Sequence, residues 1–391
     1  MKASVVICGA GIVGMASALA LARAGCHDVV LLGPAPRAVS TDHNTYHPRV
    51  YAISGSSQQF LQSIGVWSLL DMGRVTRVEA MEVRGDQFGA LYLRAWQAAQ
   101  PQLSWIIEAG EIERVLSQAL KVYGLTWLED TLDQYQNQTG VTQAGKTLTA
   151  DLWVAADGAN SALRQLAGLP YDSQPYDAVG VVAHLTCEHP HQGVAFQWFR
   201  PEGVLALLPM PDTTAGHQVS MVWSLKTAHA DVLLGLPPER QADELAGSLA
   251  PATRARLGQL TLRGPLNGFA LTLSQSPMIG PGVALVGDAA HRVHPLAGQG
   301  LNLGLGDAQA LVRVVSQREP FMSAGDPLVL RRYRRERAQA ILEIRLVTDG
   351  LKRLFDVTLP PIPWIRNAGL SLVDRLPLVK RLLIEGASRS A

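Results

Sequence analysis

Val5-Val6-Ile7-Cys8-Gly9-Ala10-Gly11-Ile12-Val13-Gly14 runs from four apolar residues straight into a G-x-G-x-x-G. The apolar run reads as a strand, the alanine- and leucine-rich segment up to Ala24 as a helix, and Val29-Val30-Leu31-Leu32 as a second strand, which together make a βαβ unit. In that context the first glycine allows the tight turn, the second lets backbone approach a pyrophosphate, and the third lets helix and strand pack closely. The helix start supplies free amides and partial positive charge for phosphates. This is a dinucleotide site, without a choice between NAD and FAD. One usual element is missing. The second strand ends Leu31-Leu32-Gly33-Pro34, where a ribose-binding carboxylate is expected.

Outward from this unit, residues 75 to 109 read as short strands, and Glu111 to Tyr123 as a helix with Ile112, Val115, Leu116 and Leu120 on one face. Leu152-Trp153-Val154-Ala155-Ala156 is a further strand, ending in Asp157-Gly158. Between Ala178 and Leu225 four extended runs separated by Pro, Gly, His and Asp predict an antiparallel sheet. The α/β pattern returns at Val283-Ala284-Leu285-Val286, followed by a helix through Val315, and a long amphipathic helix covers Leu328 to Phe355 with Ile344, Val347, Leu351 and Leu354 together. The expected fold is therefore α/β: a Rossmann-like nucleotide domain in three pieces (1–75, 101–170 and 276–325), an inserted, mainly antiparallel substrate domain (76–100 and 171–275), and a helical C-terminal region (326–391).

Bulk properties narrow the function class. The 391 residues are 47% apolar and 17% charged, an ordinary globular composition. A net charge of +1 gives no general attraction to nucleic acid, although residues 331–391 carry +7 and the remainder −6. Cys8, Cys26 and Cys187 have neither disulfide nor zinc spacing, which predicts a reducing cytoplasm and no metal. The stretch from Lys2 to Ala24-Gly25-Cys26 imitates a lipoprotein signal, but Arg23 stands where an apolar residue is needed. No apolar run reaches the roughly 18 residues of a membrane span.

The second half of the chain selects the cofactor. Gly287-Asp288-Ala289-Ala290-His291 follows a buried-type strand, and His294-Pro295-Leu296-Ala297-Gly298-Gln299-Gly300-Leu301-Asn302 leads into a helix. A carboxylate at a strand end can accept hydrogen bonds from ribityl hydroxyls, and a helix start can face the pyrimidine edge of a flavin and stabilise its reduced, anionic form. With these stretches, Arg49-Val50-Tyr51-Ala52-Ile53-Ser54 and Asp157-Gly158-Ala159-Asn160-Ser161-Ala162-Leu163-Arg164, the sequence resembles the class A flavoprotein monooxygenases. Within them it is most similar to the ubiquinone-biosynthesis (polyprenyl-phenol) hydroxylase branch, on His294 to Gly300 and Gly304-Leu305-Gly306-Asp307-Ala308.

The resemblance implies FAD held by Gly9, Gly11, Gly14, Arg49, Asp157, Gly158, Gly287, Asp288, Pro295, Gly298, Gln299, Gly300, Leu301 and Asn302, with Pro295 near the flavin face. It implies NAD(P)H as electron donor, molecular oxygen as co-substrate, and a flavin hydroperoxide that delivers OH to the ring of a polyprenylated ubiquinone precursor. The cofactor then carries the difficult step, which explains why no catalytic acid–base constellation is visible; His291 and His294 read as structural. The alternatives left open are hydroxylation of a small soluble phenol, and a weakly FAD-binding scaffold in a quinone-biosynthesis complex. A basic, amphipathic segment over 364–386, with Ile365, Leu372, Val373 and Leu376 beside Arg366, Arg375, Lys380 and Arg381, predicts either peripheral contact with the inner face of the membrane or packing of its apolar face on the body of the protein. The missing carboxylate predicts that Gly33→Glu tightens FAD binding.

Overall fold

A computed structural model describes residues 1–38, 40, 42–293, 299–356 and 362–389. Its first sheet is doubly wound. The strand Lys2–Cys8 lies in parallel between Val29–Leu32 and Thr147–Ala155, and Val283–Leu285 extends the order beyond the latter. These strands are buried on both faces, as parallel strands covered by helices are: Val5, Val6, Ile7, Val30, Leu31, Val154 and Leu285 are fully enclosed.

The helices are α1 (Ile12–Arg23), α2 (Gly55–Ser63), α3 (Ala109–Tyr123), α4 (Ala162–Leu166), α5 (Thr227–Gly235), α6 (Pro238–Leu257), α7 (Gln299–Ser316), α8 (Pro327–Asp356), α9 (Ile362–Asp374) and α10 (Pro377–Arg389). Helix α3 buries the expected stripe, with Ile112, Val115, Leu116 and Leu120 in the core.

The second sheet is mainly antiparallel. Its order runs His291–Arg292, Leu260–Gln275, Asp172–Cys187, Gly216–Lys226, Gly203–Thr213, Val194–Arg200, Ala80–Arg84, Ala90–Arg94. One pair is parallel, Val194–Arg200 with Ala80–Arg84, because that chain segment arrives from the nucleotide domain. Helices α5 and α6 close one face through Ala230, Leu233, Leu245, Leu249 and Leu257. The opposite face looks towards the nucleotide domain.

The C-terminal region holds two differences from expectation. The segment 364–386 is two helices rather than one face, because Pro377 lacks the amide needed to continue α9 and instead starts α10. Two of the four basic residues expected at a membrane surface are also spent inside the fold. Arg366 is buried and paired with Asp86, and Lys380 is buried with its Nζ 3.0 Å from Asp374. A buried cation cannot attract a lipid headgroup, so of the four only Arg375 and Arg381 stand exposed, and Arg381 pairs with Glu385. The side chains of Val347, Leu351, Leu354 and Ile365 lie outside the described residues; Ile344 is buried.

Candidate functional site

Strand ends assemble the site. Cys8, Ala155 and Leu285 finish side by side in the first sheet, and each leads into a turn, at Gly9, Ala156 and Gly287. The carboxyl edge of a parallel sheet is where open α/β folds place ligands. Here it opens onto a cavity of about 650 Å³ that reaches across to the second sheet.

The near wall suits a dinucleotide. Gly11, Ile12 and Val13 line it at the start of α1, whose first turn has no side-chain cap and no acidic residue, so its free amides point outwards. A Cβ on Gly11 would meet nothing within 4 Å, which leaves room for a phosphate, whereas one on Gly14 would sit 1.8 Å from Gly9 O. Gly14 is thus needed for the turn to close on the helix. Gln299, Gly300, Leu301 and Asn302 line the cavity from the start of α7, and Gln299 Oε1 is a buried acceptor without a partner among the described residues. Asn302 is spent on the fold: it accepts from Ser54 N (2.9 Å) and donates to Ala52 O (2.8 Å). Pro295 and Gly298, with His294, lie outside the described residues.

Asp288 and Arg49 both line the cavity. Asp288 is half-exposed to the cavity, with Arg292 Nε 3.6 Å away. Arg49 donates weakly to Tyr51 Oη at 3.4 Å, and Tyr51, Asp288 and Glu113 together favour its charge. Glu113, on α3, was missed in the sequence because it interrupts no pattern. Burial pushes its carboxyl up, while His47 and Arg49 pull it down. Asp157 stands behind the wall formed by Ala156 and Gly158: its Oδ2 accepts from Ala162 N (2.8 Å) and Leu163 N (3.3 Å), and its buried Oδ1 has no partner among the described residues. Burial raises its carboxyl. A turn with outward amides, a cradle at Gly11 and the unpaired buried Gln299 Oε1 fit a long, polar, phosphate-bearing cofactor such as FAD.

The turn carrying Asp288 is clamped from beneath. Asp307, fully buried on α7, accepts from Gly287 N (2.9 Å), His291 Nε2 (2.8 Å) and Arg337 Nε (2.8 Å), the last reaching in from α8. Arg337 also donates to Leu303 O (3.1 Å). On the other side Arg164 donates to Ala289 O (3.0 Å) and Ala159 O (2.7 Å) and stacks 3.6 Å over the Tyr171 ring. Both His291 and Arg164 therefore serve structure.

The far wall differs in chemistry. The second sheet presents Val182, Ala206, Leu208, Val222, Phe269 and Leu271, interspersed with uncharged Gln197, Ser220, Ser224 and Asn267. The charged lining residues, Arg49, Glu113, Asp288 and Arg292, gather at the cofactor end. No acid–base pair faces the sheet among the described residues.

Gly33 reverses an expectation. Its φ of +157° and its burial leave no place for a side chain, since a Cβ would lie 2.7 Å from Ala10 N. The carbonyl is also held, by Trp127 Nε1 at 2.9 Å. Glutamate here would push apart Gly33 and the glycine turn at a strain of about 1–3 kcal/mol. The expected result is that Gly33→Glu binds FAD more weakly and melts earlier than the parent. Tighter binding at an unchanged melting temperature would refute this.

Comparisons with known proteins agree with the geometry. The family described as "FAD binding domain" matches residues 2–344. Ubiquinone hydroxylase UbiL of Rhodospirillum rubrum is 33% identical, over 98% of this chain and 89% of its own. The 3-demethoxyubiquinol 3-hydroxylase of Escherichia coli is 30% identical, over 98% and 97%. The human mitochondrial ubiquinone biosynthesis monooxygenase COQ6 is also 30% identical, over 98% and 92%. In fold, the chain is similar to p-nitrophenol 4-monooxygenase PnpA from Pseudomonas putida, with a TM-score of 0.78 at 20% identity over 99% of this chain and 98% of that one.

Proposed function

From the premise that the chain belongs to the FAD binding domain family and is an FAD-dependent aromatic-ring monooxygenase, we propose that it hydroxylates a polyprenylated ubiquinone precursor. The observation that carries this reading is a single cavity that joins the glycine turn to an uncharged, largely apolar sheet face. A neutral ring with an aliphatic substituent loses little by entering such a wall, whereas a carboxylated phenol would leave its charge uncompensated. The named activities of the relatives point to the same substrate class.

In this proposal the amides at the start of α1 hold the pyrophosphate, Arg49 and Asp288 hold the middle of the cofactor, and the start of α7 faces the ring system. The chemistry supplied by the bound FAD is activation of O₂ and transfer of one oxygen atom to the substrate, with NAD(P)H as reductant and water as the other product. The residues position and shield. Val182, Leu208 and Phe269 exclude water from the ring, and Gln197, Ser220 or Asn267 supply neutral hydrogen bonds to its oxygens. Residues 1–75, 101–170 and 276–325 thus serve the cofactor, and 76–100 and 171–275 the substrate.

The test is oxygen uptake by the purified holoenzyme with NAD(P)H and a prenylated phenol. Uptake with appearance of a product one oxygen atom heavier supports the reading. NAD(P)H oxidation without hydroxylated product, or no uptake, removes it.

Work at a membrane surface belongs to the same proposal. No helix among the described residues is long and apolar enough to cross a bilayer, yet Leu372 on α9, Leu376 in the turn after it, and Leu378 and Leu382 on α10 are exposed. Burying a leucine contributes about 1.5–3 kcal/mol, so the contact is carried by these side chains more than by Arg375 and Arg381. Leu382→Gln is expected to weaken flotation with anionic liposomes about tenfold. Equal flotation of both forms, or none of the parent, would count against it.

A further inference from the structure

Helix α10 has one side in the cavity and the other in solvent. Leu383, Ile384 and Ala387 line the cavity alongside Leu93 of the strand Ala90–Arg94. Ile384 is only 2% exposed, whereas its neighbours Leu382 and Leu383 are 67% and 46% exposed. Leu383 and Ala387 line the cavity and are also exposed to solvent, so the cavity opens here in a mouth. The mouth is apolar: the nearby Glu385 is turned to Arg381, at 2.7 Å, and the charged lining residues stand at the cofactor end.

The mouth is held by a latch that packing alone would not need. Asn367 Oδ1 accepts from Gly89 N (2.9 Å) and Gln87 N (3.3 Å), and its Nδ2 donates to Asp86 Oδ1 (2.7 Å). Only glycine leaves it room, because a Cβ at Gly85 would come 2.1 Å from Asn367 Oδ1 and one at Gly89 2.7 Å from the Asn367 backbone. Asp374 accepts from Tyr92 N (2.8 Å) and from Lys380 (3.0 Å), which ties the start of α10 to the same strand pair. Ser388 donates to Gln100 Oε1 (2.9 Å) and fixes the other end.

We propose that α10 is the wall of a subsite for an aliphatic chain attached to the substrate ring, and that this chain leaves the protein past Ile384 and Ala387. This rests on the reading of the substrate as a prenylated ring. Specificity for the chain then lies some distance from the chemistry, in residues that touch neither the cofactor nor the reacting carbon. The latch residues Asp86, Asn367 and Asp374 position the wall.

The experiment measures dissociation constants of phenol, geranylphenol and farnesylphenol for the holoenzyme, read from perturbation of the flavin absorbance. The parent should bind more tightly as the chain lengthens. Ile384→Ala should reduce the preference for farnesylphenol over phenol by about tenfold. Ala387→Trp, which narrows the mouth without deleting a contact, should discriminate against farnesyl more than geranyl. FAD content of each variant reports on folding. The proposal is overturned if the parent binds all three alike, or if both variants change affinity for the three ligands equally or not at all. A parent that binds farnesylphenol tightly but does not hydroxylate it would retire the reaction while leaving the subsite to be judged by the variants.

Discussion

Asp307→Ala is expected to cost about 3–5 kcal/mol of folding stability, because it leaves buried charges without their partner. Asp307 is fully enclosed and meets Arg337 and His291, each nearly enclosed themselves, together with the amide of Gly287. Burial alone would raise its carboxyl, but His291 and Arg337 prevail and hold it below the usual carboxylate range. The sign for pH follows. A carboxyl with a folded-state pKa depressed below the unfolded value of about 3.9 contributes stability that is present above that value and is lost as pH falls through the folded one. Urea denaturation of parent and variant measures the loss. Asp307→Asn should in addition remove this part of the acid sensitivity. A variant within about 1 kcal/mol of the parent would show that the cluster does not stabilise the fold.

Asp288→Ala should do the reverse, sparing the fold and weakening the cofactor. Asp288 sits in the same turn, but its side chain is half-exposed and its ion-pair partner Arg292 is 3.6 Å away, so little of the apoprotein depends on it. A charged acceptor for cofactor hydroxyls is worth about 1.5–3 kcal/mol, which corresponds to roughly ten- to 150-fold in the dissociation constant of FAD. Titration of apoprotein with FAD decides it. An unchanged dissociation constant would exclude Asp288 from the cofactor site.

The two neighbours also show what a sequence can tell. The βαβ unit, Gly287-Asp288 and the 30-residue helix α8 were legible because strand, turn and helix periodicity are local. The antiparallel insertion was legible for the same reason. Helices α5 and α6 were not, since Pro251 inside α6 and a weak apolar stripe hide its buried Leu245, Leu249 and Leu257. Asp307 lay within a recognised motif, but its role depends on Arg337, thirty residues later. Asn367 is further removed still, meeting a glycine hairpin 278 residues earlier. Gly33 was misread because an absent carboxylate was taken as a vacancy, when the backbone there had no space to fill.

The order of strands in the first sheet sets the pace at which the chain can be made. Lys2–Cys8 is flanked by Val29–Leu32 and by Thr147–Ala155, and the latter waits for Val283–Leu285. A ribosome must therefore release most of the chain before the sheet can close, and until then the strand Thr147–Ala155 carries an unpaired edge of apolar sequence. Such high contact order slows folding and exposes nascent chains to aggregation. Refolding from denaturant is accordingly expected to be slow and to lose yield as protein concentration rises.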